Sequence, residues 1–273
     1  LFAVLVSPGD AVAYADPYYP SYHCMTVMSR AEEILLPALP ERGFLPDLDA
    51  VPADTWERVK VLVLNYPNNP TGAQAPRGFL ERAIELAHEH HFAIVQDFAY
   101  AGLGVRDQQI SILSLPGAFD VAVEVCSLSK MYAMAGWRAG FIAGNDDIVS
   151  HVKQYHYQMG SMITGNVQDA GAAALESDQS CVRELAERYA LRRKIVAGGL
   201  RDAGLDVFDS DGGIYAWVHA PEGSTGGQFA DLLLERASVA ALPGTCFGEV
   251  GVDYVRFSLL KSEDQLREAV RRV

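Results

Sequence analysis

Short apolar runs alternate along the first half of the chain with longer stretches in which apolar residues recur every third or fourth position. Ala11 to Tyr14, Glu33 to Leu36, Val59 to Leu64, Phe92 to Gln96, Val121 to Cys126 and Ala139 to Ala143 read as strands. Between them Arg77 to His90 reads as a helix, with Phe79, Leu80, Ala83, Ile84, Leu86 and Ala87 on one apolar face. That alternation predicts an α/β fold: a mostly parallel sheet covered by helices on both faces, with ligands at the carboxyl ends of the strands. Asn69, Asp97 and Ser127 each lie at or just past such an end.

After Asp146 the texture changes. Helical patterns run over Asp147 to Met159, Val167 to Leu175 and the charged stretch Cys181 to Ala203, which Gly204 stops. A smaller α+β unit follows, with strands expected at Leu205 to Phe208, Ile214 to His219, Val239 to Leu242 and Tyr254 to Ser258, and helices at Gly227 to Arg236 and Ser262 to Arg272. The expected division is a large domain over residues 1–160 and linker helices plus a small carboxyl-terminal domain over 161–273, with the boundary near Gly160 to Gly165. The stretch Gly223 to Gly227 reads as a surface turn. The apolar opening from Leu1 to Val6, without an initiator methionine, reads as the end of a buried helix, so the chain is expected to be incomplete at its amino end.

Composition narrows the function. A formal net charge of −13 opposes nucleic acid and anionic membranes as general partners, because both would be repelled at long range. Any bound anion must therefore be held by local donors. Cys24, Cys126, Cys181 and Cys246 are scattered without a Cys-x-x-Cys pair, which indicates neither a disulfide framework nor a zinc site and fits a reducing cytoplasm. His88, His90 and His91 lack a cysteine or a suitably spaced acid nearby, and read as histidines favoured at a helix carboxyl terminus rather than as metal ligands. Gly102-Leu103-Gly104 lacks the third glycine of a dinucleotide loop.

The informative cluster is Ser127-Leu128-Ser129-Lys130, followed by Gly136-Trp137-Arg138 and preceded by Asn69-Pro70-Thr71-Gly72 and Asp97-Phe98-Ala99-Tyr100. An amine for a Schiff base, donors for a phosphate and a carboxylate to keep a pyridine nitrogen protonated are what pyridoxal 5′-phosphate requires. Each residue also has a plainer reading. Lys130 alone is a solvated surface lysine; Ser127 and Ser129 are turn residues; Asp97 is a helix N-cap; Asn69 is a turn asparagine; Tyr100 and Tyr19 are packing residues; Arg256 sits on the wet face of a strand. In combination, Ser127, Ser129 and Arg138 form a phosphate cup, Asp97 meets a pyridinium, and Arg256 offers a planar fork for a substrate carboxylate.

With these motifs in this order, the chain resembles from Leu1 to Val273 the fold type I pyridoxal-phosphate aminotransferases of class I/II, within them most nearly the alanine and LL-diaminopimelate aminotransferase branch. The resemblance implies that Lys130 is the internal aldimine lysine, Asp97 the partner of the pyridine nitrogen, Tyr100 and Asn69 donors to the ring phenolate, and Tyr19 the stacking ring. Ser127, Ser129 and Arg138 then hold the phosphate, and Arg256 binds the substrate α-carboxylate, beside Asn69. It also implies a homodimer. Members of the family carry further residues at the amino end, including a loop that donates amides to the phosphate, and close relatives often have asparagine where this chain has Ala133.

The function so implied is transfer of an amino group between an L-amino acid, such as alanine or another small one, and a 2-oxo acid such as 2-oxoglutarate or pyruvate. Two alternatives stay open at the level of sequence: a pyridoxal-phosphate lyase acting by β-elimination, and a catalytically silent binding or scaffold protein.

Overall fold

A computed structural model describes residues 1–104, 109–160 and 162–273. Six strands form the main sheet: β1 (Ala11–Asp16), β2 (Glu32–Pro37), β3 (Val59–Leu64), β4 (Ala93–Asp97), β5 (Ala122–Ser127) and β6 (Gly140–Gly144). Their order is β2-β1-β3-β4-β5-β6; the first five run parallel and β6 closes the edge antiparallel to β5. The chain therefore turns from building one side of β1 to building the other, and β1, β3, β4 and β5 lie side by side with their carboxyl ends on one edge.

The period of two in these strands sorts their side chains to two cores. Ala13, Leu62, Leu64, Ile94 and Ala122 pack on one face against Leu80, Ala83, Ile84 and Ala87 of the helix Arg77–His90 and against Trp56. Val12, Tyr14, Val61, Val63, Val95 and Val123 pack on the other face with Phe2 and Tyr22, and with Ile148 and Val149 of the helix Asp146–Gln158. Both faces are covered, which is why the strands read as continuous apolar runs.

A second sheet, of order β7-β9-β8, is antiparallel and comprises β7 (Tyr215–His219), β8 (Leu242–Pro243) and β9 (Tyr254–Ser258). It packs on the long helix Ser180–Asp202 and on the helix Glu263–Arg272. Three expectations shift here. Leu205 to Phe208 makes one isolated bridge, Val207 to Val218, rather than a strand. The strand expected at Val239 to Leu242 is confined to Leu242–Pro243. The helix starting at Gly226 loosens to a π turn over Leu233–Ala237, and its start is a capping box made by Thr225 and Gln228 within the expected surface turn. The expected boundary near Gly160 to Gly165 includes Ser161, which lies outside the described residues. Among the described residues no helix is long and apolar enough to cross a membrane.

The two sheets are tied at the end of β1. The buried Asp16 carboxylate accepts from the backbone N–H groups of Glu249 (3.0 Å) and Val250 (3.4 Å), while Tyr18 N–H donates to the Phe247 carbonyl at 2.8 Å. Gly248 makes this clasp possible. Its φ of +121° is open only to glycine, and a Cβ there would collide with the Asp16 carboxylate. Gly248→Ala is therefore expected to cost about 3 kcal/mol, seen as a lower urea midpoint at unchanged slope.

Candidate active site

The carboxyl edge of the main sheet carries a cavity of about 320 Å³ lined by Tyr19, Asn65, Asn69, Asp97, Ala99, Tyr100, Ser127, Ser129, Lys130, Ala135, Arg138, Tyr215 and Arg256. All nine residues singled out in the sequence meet there, and the topology explains how. Tyr19 follows β1, Asn69 lies in the loop after β3, Asp97 ends β4, Tyr100 follows it, and Ser127 ends β5 with Ser129 and Lys130 in the helical turn Leu128–Met131. Because β6 runs antiparallel, the stretch just before it returns to the same edge, and that stretch carries Arg138.

Asp97 is half-buried, and loss of water pushes its carboxyl above the ordinary carboxylate range. Two donors oppose that shift: the Tyr22 hydroxyl, 2.6 Å from Oδ2, and the Ala99 N–H, 3.2 Å from Oδ1. Tyr22 is buried, and burial next to Asp97 keeps its own hydroxyl protonated and able to donate.

Asn65, the first residue past β3, acts as a brace. Its Nδ2 donates to the Asp97 carbonyl at 2.9 Å, and its Oδ1 accepts from the Asn69 N–H at 2.9 Å. The Asn-Pro-Thr-Gly turn is closed by Asn68 Oδ1, which accepts from the N–H and the hydroxyl of Thr71 at 3.1 and 2.8 Å. The turn delivers the Asn69 amide to Arg256, whose Nη1 donates to Asn69 Oδ1 at 2.6 Å. A guanidinium has no acceptor, so the amide oxygen must face it and the amide NH₂ turns away.

Arg256 lies in β9 with Val255 and Phe257 buried on either side of it. Burial lowers its pKa from the usual arginine range without bringing neutrality within reach. Its Cζ stands 3.9 Å from the centroid of the Tyr215 ring and 4.5 Å from that of Phe247. Tyr100 is buried with its hydroxyl paired to that of Tyr215, and burial holds the phenol protonated.

At the β5 and β6 end Ser127, Ser129 and Lys130 are half-buried and Arg138 is exposed. The Ser127 hydroxyl caps its helical turn by accepting from the Ser129 N–H at 3.2 Å, and the Ser129 hydroxyl and Lys130 line the cavity beside it. Arg138 sits in left-handed backbone, φ +54°, with Nη1 donating to the Ala135 carbonyl at 3.2 Å. Tyr19 is also exposed, its ring set edge-on to that of Tyr22 at 5.7 Å. The cavity thus joins one primary amine, one carboxylate, an arginine with two hydroxyls, and a second arginine on another sheet. Such a set can hold a molecule that bears a phosphate, a basic ring nitrogen and an amine-reactive carbonyl next to a second, carboxylate-bearing molecule.

Three residues of the site were not singled out in the sequence. Tyr22 follows Tyr19 by one helical step, Asn65 is the first residue past β3, and Tyr215 opens β7. Position at a strand end was the available signal for Asn65, whereas nothing local marks Tyr215. The histidines near residue 90 lie elsewhere, His88 with its Nε2 against the Gly117 carbonyl at 3.1 Å, and among the described residues no group of three or more His, Cys, Asp or Glu side chains is placed to hold a metal.

Tyr22→Phe removes a hydrogen bond to a charged acceptor. The variant is expected to lose about 2 kcal/mol at neutral pH in urea unfolding. The bond favours ionised Asp97, so this contribution is present above the Asp97 pKa and is lost as pH falls through it; the gap to wild type should narrow in acid.

The family model described as aminotransferase class I and II matches residues 1–273. The L-glutamine–4-(methylsulfanyl)-2-oxobutanoate aminotransferase of Bacillus subtilis is 42% identical over 270 residues, 98% of this chain and 68% of its own length. The LL-diaminopimelate aminotransferase of Syntrophobacter fumaroxidans is 42% identical over 98% of this chain and 70% of its own. Among solved structures, an aminotransferase from Staphylococcus aureus superposes with a TM-score of 0.95 at 34% identity, and substrate-bound BacF from Bacillus subtilis with 0.93 at 36%; each match covers 98% of this chain, and 71% and 69% of the other. The chain belongs to the class I and II aminotransferases, the fold type I enzymes that use pyridoxal 5′-phosphate to move amino groups.

Proposed function

We propose that Lys130 is the amine that carries the reaction, and that the chain transfers the amino group of an L-amino acid to a 2-oxo acid. The observation that carries this reading is the single cavity in which Lys130 lies between an arginine–hydroxyl set and a second arginine on the other sheet. The residues present fit the cofactor. Asp97 is a carboxylate whose charge burial penalises, which a pyridinium would relieve. Ser127, Ser129 and Arg138 supply three phosphate donors on adjacent elements.

When bound, pyridoxal phosphate supplies an aldehyde that condenses with primary amines and a protonated ring that accepts electrons from the bond broken at the substrate Cα. The protein does the rest. Asp97, aligned by the Tyr22 hydroxyl, would hold the positive charge on the ring nitrogen. Tyr100 and the outward NH₂ of Asn69, which line the cavity, would donate to the ring oxygen, and the exposed ring of Tyr19 would stack on the ring. Arg256 binds the α-carboxylate with the N–H groups that Asn69 leaves free. Lys130 would hold the cofactor through its Nζ and, as the primary amine lining the cavity, would be the base that moves the proton at the substrate Cα.

The amino donor is an L-amino acid and the acceptor a 2-oxo acid. The relatives' names point to L-glutamine, 4-(methylsulfanyl)-2-oxobutanoate and LL-diaminopimelate as the compounds to assay beside L-alanine and 2-oxoglutarate. The protein works in the cytoplasm as a homodimer, which the four free cysteines and the exposed apolar side chains of Trp137, Phe141, Tyr155, Tyr157 and Met159 support.

Borohydride treatment of the cofactor-supplied protein is expected to fix a pyridoxyl label on the Lys130 peptide. Lys130→Ala is expected to lose both the label and at least a thousandfold in transfer rate across that panel, on the order of magnitude of a nucleophile removed. A label on another lysine contradicts the assignment. Sedimentation should give twice the mass of the 29.7 kDa chain; a monomer that still turns over contradicts the dimer.

A further inference from the structure

We propose that Tyr215 is a positioning residue for the reaction: its ring face fixes the plane in which the Arg256 guanidinium meets the substrate carboxylate. The inference rests on the reading of Arg256 as the carboxylate clamp and adds what holds that clamp in place.

The two side chains meet because of strand register. In the antiparallel pair, Tyr215 is opposite Ser258 and Arg256 opposite Trp217, which makes Tyr215 and Arg256 diagonal neighbours on one face. The Arg256 Cζ is 3.9 Å from the Tyr215 ring centroid, a stacking distance, with Phe247 at 4.5 Å as a second ring. A half-buried guanidinium needs compensation for lost water, and among the described residues its side-chain hydrogen bond is the one to Asn69. The aromatic faces supply the remainder through cation–π attraction.

The geometry divides the task. Contact with a ring face opposes tilting of the planar group, and the bond from Nη1 to Asn69 Oδ1 opposes rotation within its plane. With both motions restrained, the unused N–H groups keep one direction, which is what a two-point bond to a carboxylate demands. Tyr215 is itself anchored, buried and with its hydroxyl paired to that of Tyr100. Phe247 is fixed through its carbonyl, which accepts from the Tyr18 N–H at 2.8 Å. A ring that merely filled space would do none of this and would register in stability alone.

The test uses cofactor-loaded protein titrated by calorimetry with 4-methylpentanoate, a monocarboxylate with no amine or carbonyl to react. Tyr215→Phe keeps the ring face and is expected to bind within about twofold of wild type, while Tyr215→Leu weakens binding about tenfold. Tyr215→pentafluorophenylalanine keeps the shape of phenylalanine and reverses the charge distribution of the ring. It is expected to weaken binding about fivefold or more relative to Tyr215→Phe, and it decides the question should the leucine variant not fold. Arg256→Lys separates the two readings. If it binds the probe as wild type does, the clamp reading fails and this inference with it. If it weakens binding while the leucine variant, or failing that the fluorinated one, matches its reference, Tyr215 is only packing and the inference is overturned.

Discussion

A carboxylate at the end of a buried strand must be met by donors or by positive charge, and the site is organised around that requirement at Asp97. The protein meets it only in part, with one phenol and one backbone amide. Burial still penalises its charge, and a cation brought beside it in the cavity would be held more strongly than in water. Asn65 fixes the strand end that carries Asp97 and, by its other atom, the turn that carries Asn69, so a single amide sets the spacing between the two.

The sheet order makes such economy possible. Five parallel strands bring their carboxyl ends to one edge, and the reversal of β6 adds Arg138 to that edge without a further crossover. The cations that face the cavity are few in a chain of formal net charge −13, and they are held where backbone geometry places them: Arg138 in a left-handed conformation, Arg256 between buried strand neighbours. Attraction of an anionic ligand is therefore a short-range matter of aligned donors, since the overall charge works against approach.

Much of this was legible in the sequence, for identifiable reasons. Strands buried on both faces announce themselves as unbroken apolar runs, so the ends bearing Asp97 and Ser127 could be located and their polar residues read as site residues. The small sheet was harder. β8 has only Leu242–Pro243, and Val207 makes one bridge, so periodicity had little to act on. Tyr22 and Tyr215 carry no local signature, because their contacts are with partners 75 and 41 positions away, Asp97 and Arg256. The plain reading of Arg256 as a wet-face arginine also fails on packing, since two rings and an amide surround a side chain that composition alone would leave in water.

The contact between Arg256 and Asn69 joins a strand of the small sheet to a loop of the large one. A ligand bonded to both ends of that contact would share its free energy with the contact between the two sheets, by the reciprocity that governs any two linked equilibria. Substitutions far from the cavity that loosen the contact between the two sheets would then register as weakened affinity for such a ligand, and the ligand would in turn strengthen that contact.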